Sequence, residues 1–461
     1  MAGGVSFSYN KRMHFYKDKI FWYIFAALAL IKGAALAGLF YFHPLGEKIL
    51  AFPDSLTYVY PAQTWLQYGQ MWEAVSTAPM LLRTPGYPFF LAVVQALFHN
   101  MTWAVALVQN LLSLALLIPV YMTAEKLSGK NAARAAAGFC AASVLYFSLS
   151  FAVLTEVLCA FLLGWFVYFM VDFLIKPAGQ KLFFSALFLA GAVYVRPAAY
   201  YFMFASAIIL VCFSAAKLIS VAAWKIITLF LLPLLIFVGA WQVRNYAQTG
   251  FGGFTSVGAY NLYMWNEDYL AYKYNLSVPQ AHEALKNTLP PGFGALAAPD
   301  QVRLYRTMAK SLIQKAFFYK LSRAPLWAVK TLFGANFVHV SRLLTGGAAP
   351  EEELEGQMLN HTSAVHENWL KSTAQKLLFL AASGEVFLLV LFSIGGFLLL
   401  WRTRRTETFF LLTYSLYFWG IGSVFFGAYA RFRAPFEFVL CVAAGTALNA
   451  ALQHARKKKK R

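Results

Sequence analysis

Residues 20–42 read "IFWYIFAALALIKGAALAGLFYF", an apolar run that is long enough to cross a bilayer as one α-helix. The run contains a single charge, Lys32, and no small-residue cleavage site follows it. We therefore predict a membrane-spanning helix that stays in the protein, not a cleaved signal.

The composition extends this prediction to the whole chain. Hydrophobic residues make up 60% of the 461 residues and charged residues only 13%, which is outside the range of soluble domains. Further apolar runs of about 20 residues, two of them shorter, follow at 103–124, 135–152, 153–175, 182–195, 197–215, 220–240, 376–401, 407–428 and 434–452. The sequence thus predicts an all-α polytopic membrane protein with about 10–12 transmembrane helices, the larger number applying if 301–322 or 326–345 re-enters the membrane. We expect a single domain over 1–452 and a basic cytoplasmic tail over 453–461.

Positive charge clusters in the connections 125–134, 175–181, 214–225 and 401–407. Such connections lie on the cytoplasmic side, and we expect both termini there with them. The net charge of +20 therefore indicates orientation and contact with anionic lipid, and we expect no nucleic-acid partner.

This topology is consistent only if the apolar stretch 86–99 does not cross the membrane. At 14 residues the stretch is too short to span upright, so we predict an interfacial helix within the first outer loop. The two long outward loops, 43–102 and 241–375, are then expected to form the functional site.

Four arginines are each followed by a proline one or two residues later: Arg83, Arg196, Arg323 and Arg433. Proline favours the first turn of a helix, so each pair predicts a helix that begins near the outer face. Free N–H groups at a helix start, together with a guanidinium, suit a phosphate. The alternative is that these arginines reach lipid headgroups and the prolines only open helices.

Two acidic residues fall at predicted outer helix starts. Asp54 precedes an amphipathic stretch that contains Tyr58, where an acid serves either as a helix cap or as a general base. Glu156 opens an otherwise apolar run, where an acid caps the helix, pairs with an arginine or takes part in function.

An aromatic and amide-rich stretch follows the run 220–240, and it includes Arg244, Asn261 and Tyr263. Aromatic residues of this kind belong to a membrane-interface belt or to a loop that contacts sugar. By contrast, the four cysteines lie in apolar runs without metal-ligand spacing, so we expect neither a metal site nor a cofactor.

The order of these motifs resembles the GT-C class of membrane glycosyltransferases. The resemblance rests on "PDSLTYVYPAQTWLQYG", "LRTPGYPFFLA", "LTEVLCAFLL", "VRPAAY", "WQVRNYAQTGFGGF" and "ARFRAPFEF", in that order over roughly residues 20–450. The chain is most similar to bacterial relatives of protein O-mannosyltransferases and of the lipid A aminoarabinose transferase.

The resemblance implies transfer of a sugar from a polyprenyl phosphate, such as undecaprenyl phosphate, on the periplasmic side of a bacterial inner membrane, with inversion at the anomeric carbon. It implies that Asp54 is the catalytic acid of the first outer loop and that Arg83 binds the donor phosphate. We extend these roles to Glu156 as a second catalytic acid. The other expected phosphate ligands are Arg196, Arg244, Arg431 and Arg433, and the expected substrate contacts are Tyr58, Tyr87, Asn261 and Tyr263.

The chain departs from the family at the residue after Asp54. Many members carry two adjacent acids there, whereas this chain has Ser55. Since one carboxylate holds a divalent ion poorly, we predict that transfer is independent of metal.

Two other classes remain open. A transporter or flippase of a lipid-linked saccharide needs charges or broken helices near the bilayer midplane, where Lys32 is the only clear charge. A scaffold subunit without activity would not need Asp54 and the arginines. The sequence does not specify whether the acceptor is a glycan, a lipid or a protein, and we expect the protein to be a monomer.

Overall fold

The computed structural model describes residues 15–42, 52, 54–73, 78–336, 373–425 and 429–459. These residues form helices and no β-strand; one isolated β-bridge joins Trp72 and Pro79. In chain order, the α-helices of the described residues are α1 Lys19–Phe42, α2 Leu56–Tyr68, α3 Gly86–Phe98, α4 Thr102–Ala115, α5 Leu117–Ser128, α6 Lys130–Ala142, α7 Val144–Leu149, α8 Glu156–Ile175, α9 Gly179–Val195, α10 Tyr200–Ala215, α11 Ala223–Ile226, α12 Leu232–Thr249, α13 Val257–Met264, α14 Glu267–Tyr274, α15 Val278–Lys286, α16 Ala298–Phe333, α17 Thr373–Thr403, α18 Arg405–Gly420 and α19 Ala434–Lys459.

The predicted all-α polytopic fold is confirmed. Within the described residues, seven helical segments are long and apolar enough to cross a membrane: Lys19–Phe42, Thr102–Ser128, Glu156–Ile175, Pro197–Ala215, Ala223–Thr249, Lys376–Thr403 and Ala430–Lys458. Each overlaps one of the ten predicted spans, although 153–175 and 220–240 begin three residues before their segments. Of the other three, 182–195 falls on the shorter apolar helix α9, 135–152 is divided between α6 and α7, and 407–428 falls on α18 and the π turn Ile421–Phe425.

Both helices predicted in the first outer loop are present. The stretch 86–99 forms α3, which is a short apolar helix of 13 residues, and the amphipathic stretch after Asp54 forms α2. The placement of α3 at a membrane interface stays a prediction. Residues 337–372 of the second outer loop and the first fourteen residues of the chain lie outside the described residues.

The helix-start prediction is confirmed for three of the four arginine–proline pairs and is wrong for the fourth. Helices begin just after Arg83, Arg196 and Arg433, whereas Pro325 lies inside the continuous helix α16. A proline within a helix removes one backbone hydrogen bond but does not always end the helix. Here Trp327 and Thr331, both buried beyond the proline, keep the last turns packed against the rest of the protein.

Helix α19 is the centre of the bundle and packs against α6, α8 and α17. The contact with α17 is close because Gly396 has no side chain: a β-carbon there would lie 1.8 Å from the carbonyl oxygen of Ala443. Small residues allow membrane helices to approach in this way. The start of α19 is thereby held at a fixed place, and this start borders the site described below.

Lys32, the one charge of the first apolar run, is 2% exposed in the core. Its ammonium donates hydrogen bonds to Asn110 Oδ1 at 3.1 Å and to Ser150 Oγ at 2.7 Å. A buried cation is tolerated when neutral acceptors satisfy it in this way. Lys32 therefore ties α1 to α4 and to the turn that precedes α8.

Candidate functional site

A cavity of about 740 Å³ opens among parts of the chain that are far apart in sequence. Two groups among its lining residues contain its charged side chains. We name the first group, Asp54, Arg83, Glu156, Arg196 and Arg431, the arginine wall. The second group, which we name the loop wall, comes from residues 257–286 and comprises Val257, Tyr260, Asn261, Met264, Trp265, Glu267, Pro279, His282, Glu283 and Lys286.

Asp54 is held in the arginine wall by its neighbour Ser55. The Ser55 hydroxyl donates a hydrogen bond to the carbonyl of Val153 at 2.9 Å and accepts one from the backbone N–H of Phe52 at 2.8 Å. Ser55 is 1% exposed, so position 55 faces the protein interior while the Asp54 side chain reaches the cavity. The serine in place of a second acid thus anchors the loop.

The carboxylate of Asp54 is shared by two arginines. Oδ1 lies 2.8 Å from Nη2 of Arg83, and Oδ2 lies 3.2 Å from Nη2 of Arg431. The N-cap residue of α2 is Ser55, and the carboxylate oxygens of Asp54 pair with the two arginines, so the cap interpretation of Asp54 is not supported. Burial alone would raise the pKa of this carboxyl, but the two guanidinium groups outweigh it and hold the pKa at about 2.

Arg83 is fixed from several sides. Its Nε donates a hydrogen bond to Thr57 Oγ1 at 2.9 Å, and its guanidinium lies over the ring of Tyr58 at 4.7 Å. The next residue, Thr84, donates to the carbonyl of Val195 at 3.0 Å. Thr57 and Tyr58 hold the guanidinium without neutralising its charge, which Asp54 balances in the free protein.

Gly86 brings the Arg83 segment close to the Arg196 segment. A β-carbon at Gly86 would lie 2.7 Å from the backbone carbonyl oxygen of Tyr194, so only glycine permits this approach. Arg196 in turn forms an ion pair with Glu156 at 2.7 Å, in which the side chains are 15% and 3% exposed. Of the alternatives for Glu156, pairing with an arginine is the one observed.

Four of the expected site residues do not line the cavity. Arg433 is 1% exposed; it pairs with Glu437 at 2.5 Å and donates to the carbonyls of Leu332 and Gly334, so it joins the end of α16 to α19. Arg244 donates to the carbonyl of Met80 at 2.9 Å.

The two tyrosines among these four have structural contacts. Tyr87 is fully buried, donates to Gln109 and packs edge-on against Tyr58 with ring centroids 5.2 Å apart. Tyr263, also fully buried, donates to the carbonyl of Leu285 at 2.5 Å. By contrast, Tyr58, Asn261, Arg196 and Arg431 do line the cavity.

The sequence interpretation missed most of the loop wall. Its residues on α15 are Pro279, His282, Glu283 and Lys286, and they follow the i, i+3, i+4, i+7 spacing of one helix face. Tyr260, Asn261 and Met264 on α13 have the same spacing after Val257. This helix-face periodicity is the sequence pattern from which the loop wall could have been predicted.

The loop wall contains one charged pair of its own. His282 Nδ1 lies 2.9 Å from Glu267 Oε2. Burial raises the pKa of Glu267, although the hydrogen bond and the charge of His282 act to lower it. Burial raises the pKa of Tyr260. The negative charges of Glu267 and Asp54 raise it as well, whereas the positive charge of Arg83 lowers it. Tyr260 therefore lies within electrostatic range of both walls.

Among the residues that the structure describes, no three His, Cys, Asp or Glu side chains are grouped so that they could hold a metal. Metal independence stays a prediction.

Several solved structures resemble the chain. The oligosaccharyltransferase of Archaeoglobus fulgidus in the apo form matches with a TM-score of 0.49 and 12% identity, covering 97% of this chain and 52% of that chain. The same enzyme in complex with an inhibitory peptide and a dolichol-phosphate matches with a TM-score of 0.48 and 11% identity, covering 96% and 52%. ArnT from Cupriavidus metallidurans bound to undecaprenyl phosphate matches with a TM-score of 0.38 and 12% identity, covering 93% and 77%.

The chain thus spans about half the length of the oligosaccharyltransferase. No curated protein sequence matches it. Residues 82–241 match the model of the family described as dolichyl-phosphate-mannose-protein mannosyltransferase, and this match confirms the resemblance to the GT-C class of membrane glycosyltransferases.

Proposed function

We propose that this protein is an inverting glycosyltransferase that moves a sugar from a polyprenyl-phosphate donor to a hydroxyl acceptor at the periplasmic face of a bacterial inner membrane. The family description names a sugar carried on a dolichyl phosphate, which is a polyprenyl phosphate. The observation that carries the proposal is the position of Asp54 between Arg83 and Arg431 in one cavity.

The charge of the arginine wall suits such a donor. Three arginines (Arg83, Arg196 and Arg431) face two carboxylates (Asp54 and Glu156), which leaves a net charge of +1. A sugar linked to a prenyl chain through one phosphate is a phosphodiester with a single negative charge. The donor would therefore neutralise the wall.

Donor binding would also change Asp54. In the free protein both carboxylate oxygens are paired with arginine, and the pKa of about 2 makes Asp54 a weak base. A phosphate that engages Arg83 and Arg431 would weaken these ion pairs and add negative charge nearby. The pKa of Asp54 would rise toward the range in which a carboxylate accepts a proton well.

The reaction then proceeds by displacement. The acceptor oxygen attacks the anomeric carbon from the face opposite the phosphate, and its proton passes to Asp54. The bond between the anomeric carbon and the phosphate oxygen breaks, and its electron pair stays on the phosphate, where the arginines stabilise the new charge. Glu156 keeps Arg196 in place for this step through their 2.7 Å ion pair.

The direction of α19 supports a site on the outer side. This helix begins beside Arg431 and Arg433 and ends in the lysine-rich segment near Lys459. Its apolar length is enough to cross a bilayer, so the cavity and the basic tail would lie on opposite sides. Basic segments remain on the cytoplasmic side, which leaves the cavity facing the periplasm.

The test is a transfer assay with purified full-length protein and a radiolabelled undecaprenyl-phosphate sugar. Mass spectrometry of envelope glycans and lipids, with and without the gene, first identifies the missing sugar and its attachment point. Wild-type protein should release undecaprenyl phosphate and label the acceptor. Movement of the labelled lipid across vesicle membranes without cleavage would instead support a flippase and contradict the proposal.

A further inference from the structure

The loop wall is a preformed surface opposite the arginine wall. Pro279, His282, Glu283 and Lys286 come from one face of α15, and Tyr260 and Asn261 come from one face of α13. This gives the surface an amide, an imidazole, a carboxylate and aromatic rings. Amides and carboxylates bind hydroxyl groups, and aromatic faces cover the C–H face of a sugar.

The loop wall is held in place by an ion pair to α16 and by a helix cap. Asp268 and Lys320 form an ion pair at 3.1 Å, with side chains 7% and 12% exposed, and Lys320 also donates to the carbonyl of Trp265 at 2.7 Å. Helix α15 begins with a reciprocal capping box between Ser277 and Gln280. The position of the loop wall is therefore set by the fold before a ligand binds.

His282 lines the cavity, and one of its two ring nitrogens is engaged within the loop wall. Its Nδ1 is engaged by Glu267 at 2.9 Å, and Nε2 has no hydrogen-bond partner among the described residues. A carboxylate on Nδ1 keeps the proton there, so that Nε2 of the neutral ring is an acceptor. An acceptor nitrogen that lines a cavity suits a hydroxyl donor.

The charges of the loop wall differ from those of the arginine wall. Glu267 and Glu283 contribute two negative charges and Lys286 one positive charge, which leaves −1 when His282 is neutral. A phosphate or carboxylate on the ligand would be repelled here, whereas the arginine wall attracts one. The two halves of the cavity are thus suited to different ligands.

We propose that the loop wall is the acceptor subsite, and that the acceptor is a hydroxyl-rich glycan without acidic groups near its reacting end. His282 Nε2 accepts a hydrogen bond from an acceptor hydroxyl, Glu267 fixes the imidazole, and Asn261 and Glu283 bind neighbouring hydroxyls. This inference rests on the proposed glycosyl transfer and names the substrate class of the same site.

The experiment uses purified full-length protein, a labelled undecaprenyl-phosphate sugar, and two acceptor pools from the cell envelope, one neutral and one phosphorylated, separated by anion exchange. Wild-type protein should label the neutral pool. His282→Gln and Glu267→Gln should raise the apparent KM for this pool about tenfold, the effect of losing one good hydrogen bond. The KM for the donor should change much less than the KM for this pool. His454→Gln, the same exchange at an exposed site on α19, is the control and should match wild type.

Two results would overturn the acceptor subsite: an unchanged acceptor KM in His282→Gln, or label in the phosphorylated pool. Failure of the proposed function gives a different result, since wild-type protein would then neither hydrolyse the donor nor transfer its sugar. Binding of the neutral pool to the protein without donor, measured by tryptophan fluorescence, tests the subsite in that case too. Equal affinity of wild type and His282→Gln would remove His282 from it.

Discussion

The carboxylate of Asp54 lies 2.8 Å from the guanidinium of Arg83 and 3.2 Å from that of Arg431, a residue 377 positions further along the chain. This pairing brings residues from near the beginning and the end of the sequence together in the arginine wall. It also means that the expected base and the expected phosphate ligands neutralise one another in the free protein. A phosphate donor must compete with Asp54 for the arginines, and this competition makes the site sensitive to changes at either partner.

The first prediction concerns Asp54 itself. Asp54→Asn keeps the shape of the side chain but removes the proton acceptor, so we expect transfer to fall by at least about 100-fold, the lower end of general-base contributions. The measurement is product formation from a labelled undecaprenyl-phosphate sugar. Asp300→Asn is the matched control, since Asp300 has only an exposed ion pair with Arg303, and it should keep full activity. Full activity of Asp54→Asn would show that Asp54 does not accept the proton.

The second prediction concerns the pH dependence of catalysis. With a pKa of about 2, Asp54 is ionised in the free protein at all pH values used for assays. The acid limb of kcat/KM for the donor should therefore not come from Asp54. In the donor complex its pKa is higher, so kcat should show an acid limb at a higher pH than kcat/KM does. Coincident limbs in the two profiles would contradict displacement of Asp54 by the donor phosphate.

The third prediction concerns stability. The pKa of Asp54 is lowered from 3.8 to about 2 in the folded protein, so its ion pairs stabilise the fold fully above the unfolded value and this contribution is lost as pH falls through the folded value. Thermal unfolding in detergent should show wild type more stable than Asp54→Asn at neutral pH. The difference in melting temperature should shrink between about pH 4 and pH 2. A difference that stays constant over this range would argue against the ion pairs as its source.

The sequence predicted the arginine wall better than the rest of the site. Arg83, Arg196 and Glu156 lie at helix starts, and a helix start is readable from a proline or from the beginning of an apolar run. Arg433 has the same local pattern as Arg83, yet its guanidinium points into the bundle and pairs with Glu437. The direction of a side chain at a helix start depends on tertiary packing, which no local pattern specifies.

The loop wall was predicted less well than the arginine wall, because its ionisable pair is not local in sequence. His282 and Glu267 are 15 positions apart on separate short helices, and neither neighbours a motif of the family. Their pairing depends on how α14 and α15 pack together, which short amphipathic helices do not reveal by themselves. The helix-face spacing of Pro279, His282, Glu283 and Lys286 was visible, but only the fold identifies the cavity that this face lines.

The fourth prediction separates Arg83 from Arg433. Arg83→Ala should raise the KM for the donor, because Arg83 faces the cavity, and the loss of its ion pair with Asp54 should lower the melting temperature less than Arg433→Ala does. Arg433→Ala should instead destabilise the protein by about 3 kcal/mol, since the buried carboxylate of Glu437 keeps the hydrogen bond from Ser143 but loses its positively charged partner. The readouts are donor KM and thermal unfolding in the same detergent. An Arg433→Ala protein of normal stability and raised donor KM would place Arg433 in the phosphate site after all.

The last prediction concerns Ser55, which follows Asp54 directly in the chain. The Ser55 hydroxyl donates to the carbonyl of Val153 at 2.9 Å, and the residue is 1% exposed. Ser55→Asp would place a carboxylate against that carbonyl oxygen and lose the hydrogen bond, at a cost of about 1–3 kcal/mol for the unpaired buried group. We therefore expect lower activity and a lower melting temperature, and no gain of activity on adding Mg²⁺ or Mn²⁺. Ser55→Ala removes the hydrogen bond without adding charge and should lie between wild type and Ser55→Asp. Metal-stimulated activity in Ser55→Asp would show instead that position 55 can face the cavity, and that the serine excludes a metal from this site.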